Sequence, residues 1–207
     1  GTAITTGDNN VAVGFEALSA EDAHGKNVAV GYRSLKAQDA GADAYNAAVG
    51  HQSGLVISTG VQNTLVGGES GVALTSGGNN VAVGYAALAS EDGHGKNVAL
   101  GTQALASQNA GADAYNTAVG FQAGEQITSG IKNTIIGGLA GDELGDADFN
   151  VAVGYGSLST DDLGSKTTAV GAFALEAQNY ATATDSHNTA VGYIAGGAVT
   201  TGILNTL

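Results

Sequence analysis

The strongest constraint on the fold of this chain is a five-residue phrase that returns at nearly constant spacing. The phrase is Asn-x-Ala-Val-Gly or a close relative, and one long copy is NNVAVGYAAL at residues 79–88. The closing glycines are Gly14, Gly31, Gly50, Gly67, Gly84, Gly101, Gly120, Gly137, Gly154, Gly171 and Gly192. Such a period predicts a repeat protein, in which each coil packs on the next one.

The spacing has two levels. Most steps between closing glycines equal the first one, but one step in each group of four is longer. The longer steps run from Gly31 to Gly50, from Gly101 to Gly120 and from Gly171 to Gly192. We therefore predict one continuous repeat region over residues 1–207, with four-coil units that start near residues 10, 80 and 150. We expect this region to be a segment of a longer fibre.

The residue types favour strands over helices. The chain has 34 Gly, and glycine costs about 1 kcal/mol relative to alanine inside a helix. In NVAVGF, Val11 and Val13 would lie on one side of a short strand and Ala12 on the other. We predict an all-β fold, a parallel β-solenoid of about 12 coils with 17–21 residues each.

The asparagine that opens the phrase is expected to have a structural role. Equal side chains lie above one another in a parallel stack, and stacked amides can form hydrogen-bonded ladders along the axis. The predicted ladder consists of Asn10, Asn27, Asn46, Asn63, Asn80, Asn97, Asn116, Asn133, Asn150 and Asn188. Thr167 is the one replacement in this column.

The other strand face carries mostly Ala, Gly and other small residues. A small-residue stripe along a solenoid allows the backbone of another chain to approach closely. A lone thin coil would leave this stripe exposed, which is unusual for a monomer. The pattern therefore suggests a parallel homotrimer around one axis.

The phrases NNVAVGYAAL, NTAVGFQAG and NTAVGYIAG resemble the head repeats of trimeric autotransporter adhesins. They are even more similar to the related repeats in the shafts of phage tail-fibre proteins, and the resemblance covers essentially the whole chain. It implies a trimeric, left-handed parallel β-roll, with the Val-x-Val side inside each chain and the small side toward its partners. The residues that match this inward pair are Val11/Val13, Val28/Val30 and Val81/Val83. The longer coils depart from the adhesin pattern and favour the tail-fibre variety.

Composition disfavours several other functions. The net charge of −13 opposes nucleic-acid binding, which needs Lys and Arg against phosphates. No apolar run is long enough to insert into a membrane. Without Cys or a Gly-x-Ser-x-Gly elbow, we expect no enzyme and no cofactor. An ice-binding solenoid is a remote alternative, because its Thr row would be interrupted, with members at Thr59, Thr75, Thr128 and Thr201.

Three acidic stretches contain metal-ligand residue types. The motifs EDAHGKN (residues 21–27) and EDGHGKN (residues 91–97) place a histidine beside two carboxylates, which suits a metal ion or proton transfer. The third unit has DDLGSKT there, with no histidine, so the sequence favours a solvated corner. Asp142, Asp146 and Asp148 resemble a calcium-binding nonapeptide repeat, but their spacing is wrong. We therefore predict no metal site.

The second coil of each unit carries the extra residues. The insertions lie in KAQDAGADAYN, ASQNAGADAYN and EAQNYATATDSHN. Aromatic rings beside carboxylates suit stacking on sugars and hydrogen bonding to their hydroxyls. The candidate receptor-facing residues are Asp43, Tyr45, Asp113, Tyr115, Tyr180 and Asp185. The alternative is a tolerated surface bulge, because insertions in solenoids collect in loops.

These patterns predict an extracellular structural or adhesive fibre segment. Its expected partners are further copies of itself and a host cell-surface glycan or protein. The favoured assignment is a phage tail fibre used for host attachment, in the virion. The alternative is the head region of a bacterial trimeric autotransporter adhesin, on the cell surface.

Overall fold

The computed structural model describes residues 4–21 and 23–207 and contains no helix within those ranges. The strands are β1 (Val11–Val13), β2 (Val28–Val30), β3 (Ala47–Val49), β4 (Thr64–Val66), β5 (Val81–Val83), β6 (Val98–Leu100), β7 (Thr117–Val119), β8 (Thr134–Ile136), β9 (Val151–Val153), β10 (Gly164–Ser165), β11 (Thr168–Val170), β12 (Thr184–Asp185) and β13 (Thr189–Val191). The predicted strand at each repeated phrase is therefore confirmed.

Eleven strands form one parallel sheet in the order β1-β2-β3-β4-β5-β6-β7-β8-β9-β11-β13. Each strand pairs in register with the equivalent strand of the next coil, so that Val11 lies opposite Val28 and Val28 opposite Ala47. A parallel bridge from Thr189 to Thr206 begins a twelfth coil. The second sheet, β10-β12, joins two neighbouring corners. The prediction of a parallel β-solenoid is confirmed.

The closing glycine of each phrase is required by both conformation and space. These glycines have φ between +133° and +145°, a region that other residues rarely adopt. At Gly101, a Cβ atom would lie 2.0 Å from the carbonyl oxygen of Gly120 in the next coil. The backbones stack too closely at this corner for any side chain.

Each coil also turns at residues in the left-handed helical conformation. The residue before the asparagine adopts it in every coil, for example Tyr45 with φ 54°. The second and fourth residues after the closing glycine do the same, as at Arg33 (55°) and Leu35 (46°). Such conformations are costly outside glycine, so the stacked neighbours must hold them in place.

The two faces of the strand are the reverse of the arrangement that the resemblance implies. The middle residue of the strand is fully buried in the chain from β2 onward, as at Ala29, Ala48 and Leu65. The flanking valines point outward, with Val13 58% and Val49 40% exposed. The expected inward Val-x-Val pair is therefore wrong, and the small-residue stripe lies in the interior of each coil.

The reason is that other positions already fill the thin core. Leu18, Leu35, Leu88, Leu105, Leu158 and Leu175, each four residues after a closing glycine, are fully buried. Where this position is glycine instead, a residue three places later supplies the branched side chain. A Cβ on Gly54 would meet the methyl groups of Ile57 and Leu65 at 3.0 and 2.9 Å. The interior has room for one large side chain per coil beside the strand, and alanine completes the packing.

The asparagine column is buried and bonds mainly to the backbone. From Asn27 to Asn150, each backbone N–H donates to Oδ1 of the asparagine one coil earlier, at 2.8–3.1 Å. In most coils Nδ2 donates to a carbonyl in the following coil, as from Asn63 to Gly77 at 2.9 Å. Direct amide-to-amide bonds occur from Asn63 to Asn46 and from Asn205 to Asn188. The column thus links coils chiefly through main-chain groups.

Thr167 interrupts this column, and the longest coil repairs it. Threonine has no carbonyl oxygen for the next N–H, and Asn188 N instead donates to Ser186 Oγ at 3.2 Å. The Ser186 and Thr167 hydroxyls are 2.5 Å apart. Ser186 lies in the longest insertion, beside β12, and is fully buried. The extra residues of this coil therefore carry a structural hydroxyl.

Candidate functional site

The most extensive surface feature is the outward side of the main sheet, which we call the outer strand face. It consists of the first and third residues of the eleven main-sheet strands, and all of them are Val, Ala, Thr, Leu or Ile. No charged residue occurs there, although the chain has a net charge of −13. A face of this length without charge is typical of a contact between chains.

A column of rings follows the outer strand face at the residue after the closing glycine, and it is interrupted at Gly68, Thr102, Gly138 and Ala172. Phe15 stacks on Tyr32 with centroids 5.6 Å apart, and Tyr32 stacks on His51 at 5.1 Å. His51 thus packs as a ring within this column. Tyr85, Phe121 and Tyr155 of the same column are more than half exposed. These rings extend the apolar surface along the axis.

The first two insertion loops form equivalent ion-pair clusters. Lys26, in the preceding coil, contacts Asp43 Oδ2 at 2.6 Å and the Tyr45 hydroxyl at 2.9 Å. Its ammonium also lies 5.0 Å from the centre of the Tyr45 ring, in cation–π geometry. The hydrogen bond from Lys26 holds the pKa of Asp43 below its ordinary value.

The second loop repeats this arrangement almost unchanged. Lys96 contacts Asp113 at 2.5 Å and the Tyr115 hydroxyl at 3.0 Å. The ring of Tyr115 is 51% exposed, and that of Tyr45 is 53% exposed. The polar groups predicted to meet a receptor are thus engaged by lysine, which also lies against each ring, and about half of each tyrosine remains exposed. Sequence reasoning missed this lysine, although Lys26 and Lys96 each stand directly before a ladder asparagine, at equivalent positions of the first two units.

The third loop differs, and one of its predicted residues was wrong. Tyr180 is only 5% exposed, and its hydroxyl donates to the Gly202 carbonyl at 2.7 Å. It therefore packs inside the coil and does not face a receptor. Asp185 is exposed and pairs with Lys166, as its counterparts do in the other loops. His187 occupies the place of Tyr45 and Tyr115.

An open groove of about 880 Å³ lies beside the third loop. Its acidic lining residues are Glu143, Asp146 and Asp162. Hydrogen bonds from Ser129 and Thr128 lower the pKa of Asp146. Asp142, Asp146 and Asp148 do not converge within 4.8 Å as a set of metal ligands in the described part of the chain.

The corners at residues 21–27 and 91–97, which we call the acid–histidine corners, are more buried than the solvent-exposed corners that the sequence favours. Glu21 and Glu91 are fully buried, while His24 and His94 are about one-third exposed. Asp22, the second carboxylate of the first corner, lies outside the described residues. Burial of a carboxylate is costly unless it is paired, and Glu91 Oε2 has no hydrogen-bond partner among the described residues.

Comparisons with known proteins yield no match to a family model, a curated protein or a solved structure. Among the described residues, no helix has the length and apolar character needed to cross a membrane. The functional argument therefore depends on the surfaces of this chain.

Proposed function

We propose that this chain is a segment of an extracellular trimeric fibre, of the kind found in phage tail fibres, that spaces and presents a host-attachment surface. The observation that carries the proposal is the uncharged outer strand face, which is continuous over eleven coils. The small-residue stripe no longer supports assembly, because it is buried within the coil. The valine and ring columns take its place as the surface between chains.

Assembly through this face agrees with its chemistry. Protein interfaces are depleted of charged residues at their centre and enriched in aromatic ones. The acidic residues that dominate the net charge are absent from the eleven main-sheet strands and occur at corners and loops, such as Asp43 and Asp113. Three parallel chains can place their outer strand faces together and keep these loops outside.

The stacked coils also suit a rigid spacer. Main-chain bonds connect every described coil with the next, and the buried amides of the asparagine column add a second set of links. The interior has no thick core that could rearrange, and each coil depends on its neighbours. Such a segment can transmit a fixed distance and orientation to a distal part of a fibre.

Light scattering of the folded segment, fused to a trimerisation domain, tests the assembly. The fusion with intact outer strand faces should resist dissociation more strongly than a matched fusion carrying Val49→Asp and Val83→Asp. A control fusion with Ala42→Asp, at an exposed loop position, should behave like the wild type. Equal stability of all three fusions would contradict the interface.

Attachment through the first two loops has a separate test. Deleting Gly41–Ala42 and Gly111–Ala112, at exposed tips, shortens both coils to the length of their neighbours. Tyr45→Ala with Tyr115→Ala removes the half-exposed loop rings, and Phe149→Ala removes an exposed ring outside both the loops and the ring column. Loss of binding to host cells or glycans in the first two variants, but not in the Phe149 control, supports a receptor site there. Unchanged binding by well-folded variants excludes the loops as the receptor site.

A further inference from the structure

The two acid–histidine corners share an unusual concentration of unsatisfied polar atoms. In the described part of the chain, five buried side-chain nitrogen or oxygen atoms have no hydrogen-bond partner. Four of them belong to these corners: His24 Nδ1, Glu91 Oε2, His94 Nδ1 and Asn97 Nδ2. Buried polar groups in native proteins almost always have partners, so the clustering marks these two corners as candidate ligand-binding places.

The second corner shows the geometry most completely. Glu91 is fully buried, and its Oε1 accepts the backbone N–H of His94 at 3.2 Å. The same oxygen lies 3.7 Å from His94 Nδ1, which is too long for a hydrogen bond. Glu91, Asp92 and His94 each offer one ligand atom, and these atoms lie within 4.8 Å of one another. An imidazole nitrogen and two carboxylates thus converge on one small volume.

No lysine or arginine forms an ion pair with this buried carboxylate among the described residues. Lys96, the nearest lysine in sequence, pairs with Asp113 in the insertion loop. The corner therefore combines excess negative charge with an unengaged nitrogen donor.

We propose that this corner binds one divalent transition-metal ion of the zinc class through His94 Nδ1, Glu91 and Asp92. In the first unit Glu21 and His24 correspond to Glu91 and His94, and the third carboxylate within 4.8 Å is Asp39, from the insertion loop, whose counterpart in the second unit is Asn109. Imidazole nitrogen suits zinc, nickel, copper and cobalt, whereas calcium and magnesium prefer sites made of oxygen alone. The chain would hold two ions, one in each of its first two four-coil units.

The observed separation is close to what such an ion requires. Zinc bonds of about 2.0 Å to nitrogen and oxygen at tetrahedral angles place the two ligand atoms about 3.3 Å apart. His94 Nδ1 and Glu91 Oε1 are 3.7 Å apart, and His24 Nδ1 and Glu21 Oε1 are 3.9 Å apart. Since both imidazoles are partly exposed, a small ring rotation can close the difference, and water can complete the coordination.

The third unit provides an internal contrast. Its buried acid, Asp161, accepts the Gly164 N–H at 3.0 Å and the Gln178 amide at 2.6 Å. It has no histidine, and its carboxylate is satisfied by the protein. In the second unit the equivalent Gln108 instead donates to the Thr128 carbonyl at 3.0 Å, so it does not satisfy Glu91.

A purely structural role for the acid is the competing explanation. In the first unit Asn27 Nδ2 approaches Glu21 Oε2 at 3.5 Å, the outer limit of a hydrogen bond. In the second unit Asn97 Nδ2 and Glu91 Oε2 both remain unpartnered. The contact from Asn27 gives the buried Glu21 carboxylate a structural role as an acceptor. It does not account for His24 Nδ1, which lies 3.9 Å from Glu21 Oε1 without a hydrogen bond.

Titration of the untagged folded protein with zinc, and with cobalt as a spectroscopic probe, tests the proposal. We expect two ions per chain, d–d absorption typical of nitrogen and oxygen ligands, and a melting temperature that rises with zinc concentration. His94→Asn and His24→Asn should each reduce the stoichiometry to one. The double variant should weaken binding more than about 100-fold, because loss of outer hydrogen-bond partners alone costs about 10–100-fold.

The matched control is His51→Asn with His187→Asn, which removes the other two histidines and should leave both sites intact. Glu91→Gln retains the shape of the corner and provides a second route if a histidine variant does not fold. No binding by the wild type at millimolar zinc would overturn the proposal. So would binding that is unchanged in the His24/His94 double variant, or lost equally in the His51/His187 control.

Discussion

The second coils of the second and third units fill the same place in the repeat with different chemistry. In the second unit the buried asparagine column is unbroken. The insertion loop there contributes Asp113 and Tyr115 to an exposed cluster with Lys96. In the third unit Thr167 breaks the column, and the longer loop turns inward to supply Ser186 and Tyr180. Where an asparagine occupies the column position, the insertion loop can make surface contacts. Where threonine replaces the asparagine, residues of the insertion loop are buried and complete the hydrogen bonds of the column.

The largest expected effect compares two positive-φ glycines of the second unit, one at a stacked corner and one at the tip of the insertion. Gly101→Ala places a Cβ 2.0 Å from the Gly120 carbonyl oxygen, so neighbouring coils must separate. At Gly111 no atom lies within 4 Å of such a Cβ, and only backbone strain remains. We expect losses of more than about 4 kcal/mol for Gly101→Ala and about 1–2 kcal/mol for Gly111→Ala, measured by denaturant unfolding. Equal losses would mean that close stacking does not impose the glycine at position 101.

The next effect tests the unbroken column directly. Asn116→Ala removes the acceptor for Asn133 N at 2.8 Å and the donor to Gly130 O at 2.7 Å, both at buried sites. The stranded main-chain groups should cost about 3 kcal/mol in total, at about 1–3 kcal/mol each. Gln103→Ala, in the same coil but partly exposed, is the control and should cost much less. A loss under about 1 kcal/mol for Asn116→Ala would contradict the importance of the column.

The repaired break should show a smaller loss and a specific rescue. Ser186→Ala removes the hydroxyl that accepts Asn188 N, at an expected cost of about 1–2 kcal/mol. Adding Thr167→Asn restores an amide oxygen at the column position and should recover part of that loss. The double-mutant cycle should therefore give a favourable coupling of at least about 0.5 kcal/mol. Additive effects would show that Ser186 does not substitute for the missing asparagine.

The smallest effect concerns a carboxylate that the second unit has and the first lacks. Burial raises the pKa of Asp142 to about 6, and Val72 occupies the same place in the first unit. A raised carboxyl pKa means that the folded state binds the proton more tightly, so folding stability should increase as the pH falls from about 7 to about 4. Asp142→Asn should stabilise the protein at pH 7 by about 1 kcal/mol, after allowance for partial exposure. At pH 4 the variant and wild type should unfold alike, and an equal difference at both pH values would contradict the assignment.

The sequence is sufficient to predict the coil architecture because its signal is repeated. The Asn-to-Gly phrase marks all eleven main-sheet strands, and the fixed spacing determines parallel stacking in register. The inward side of the strand is not predictable in the same way, since Val11-Ala12-Val13 alternates equally well in either direction. It depends on how Leu18 or Ile57 fills a coil from another corner, which is a property of packing between distant positions.

The candidate sites are less predictable for a related reason. Tyr180 belongs by sequence to the same insertion pattern as Tyr45 and Tyr115, yet the loss of an asparagine at Thr167 draws the loop inward. The burial of Glu91 follows from its position three residues after a core leucine, where Ile57 and Ile127 fill other coils. The sequence alone shows that Glu91 shares its repeat position with Ile57 and Ile127, and this signal could have predicted a buried acid.

The most direct test of the fibre account measures distances between chains at the outer strand face. The chain has no Cys, so single Val83→Cys and Ala42→Cys variants can each carry one spin label in the assembled fibre segment. We predict strongly coupled labels at position 83, consistent with the backbone separation of about 10 Å that facing sheets keep, and widely separated labels at position 42. Uncoupled, freely mobile labels at position 83 in a sample with three chains would contradict assembly through the outer strand face.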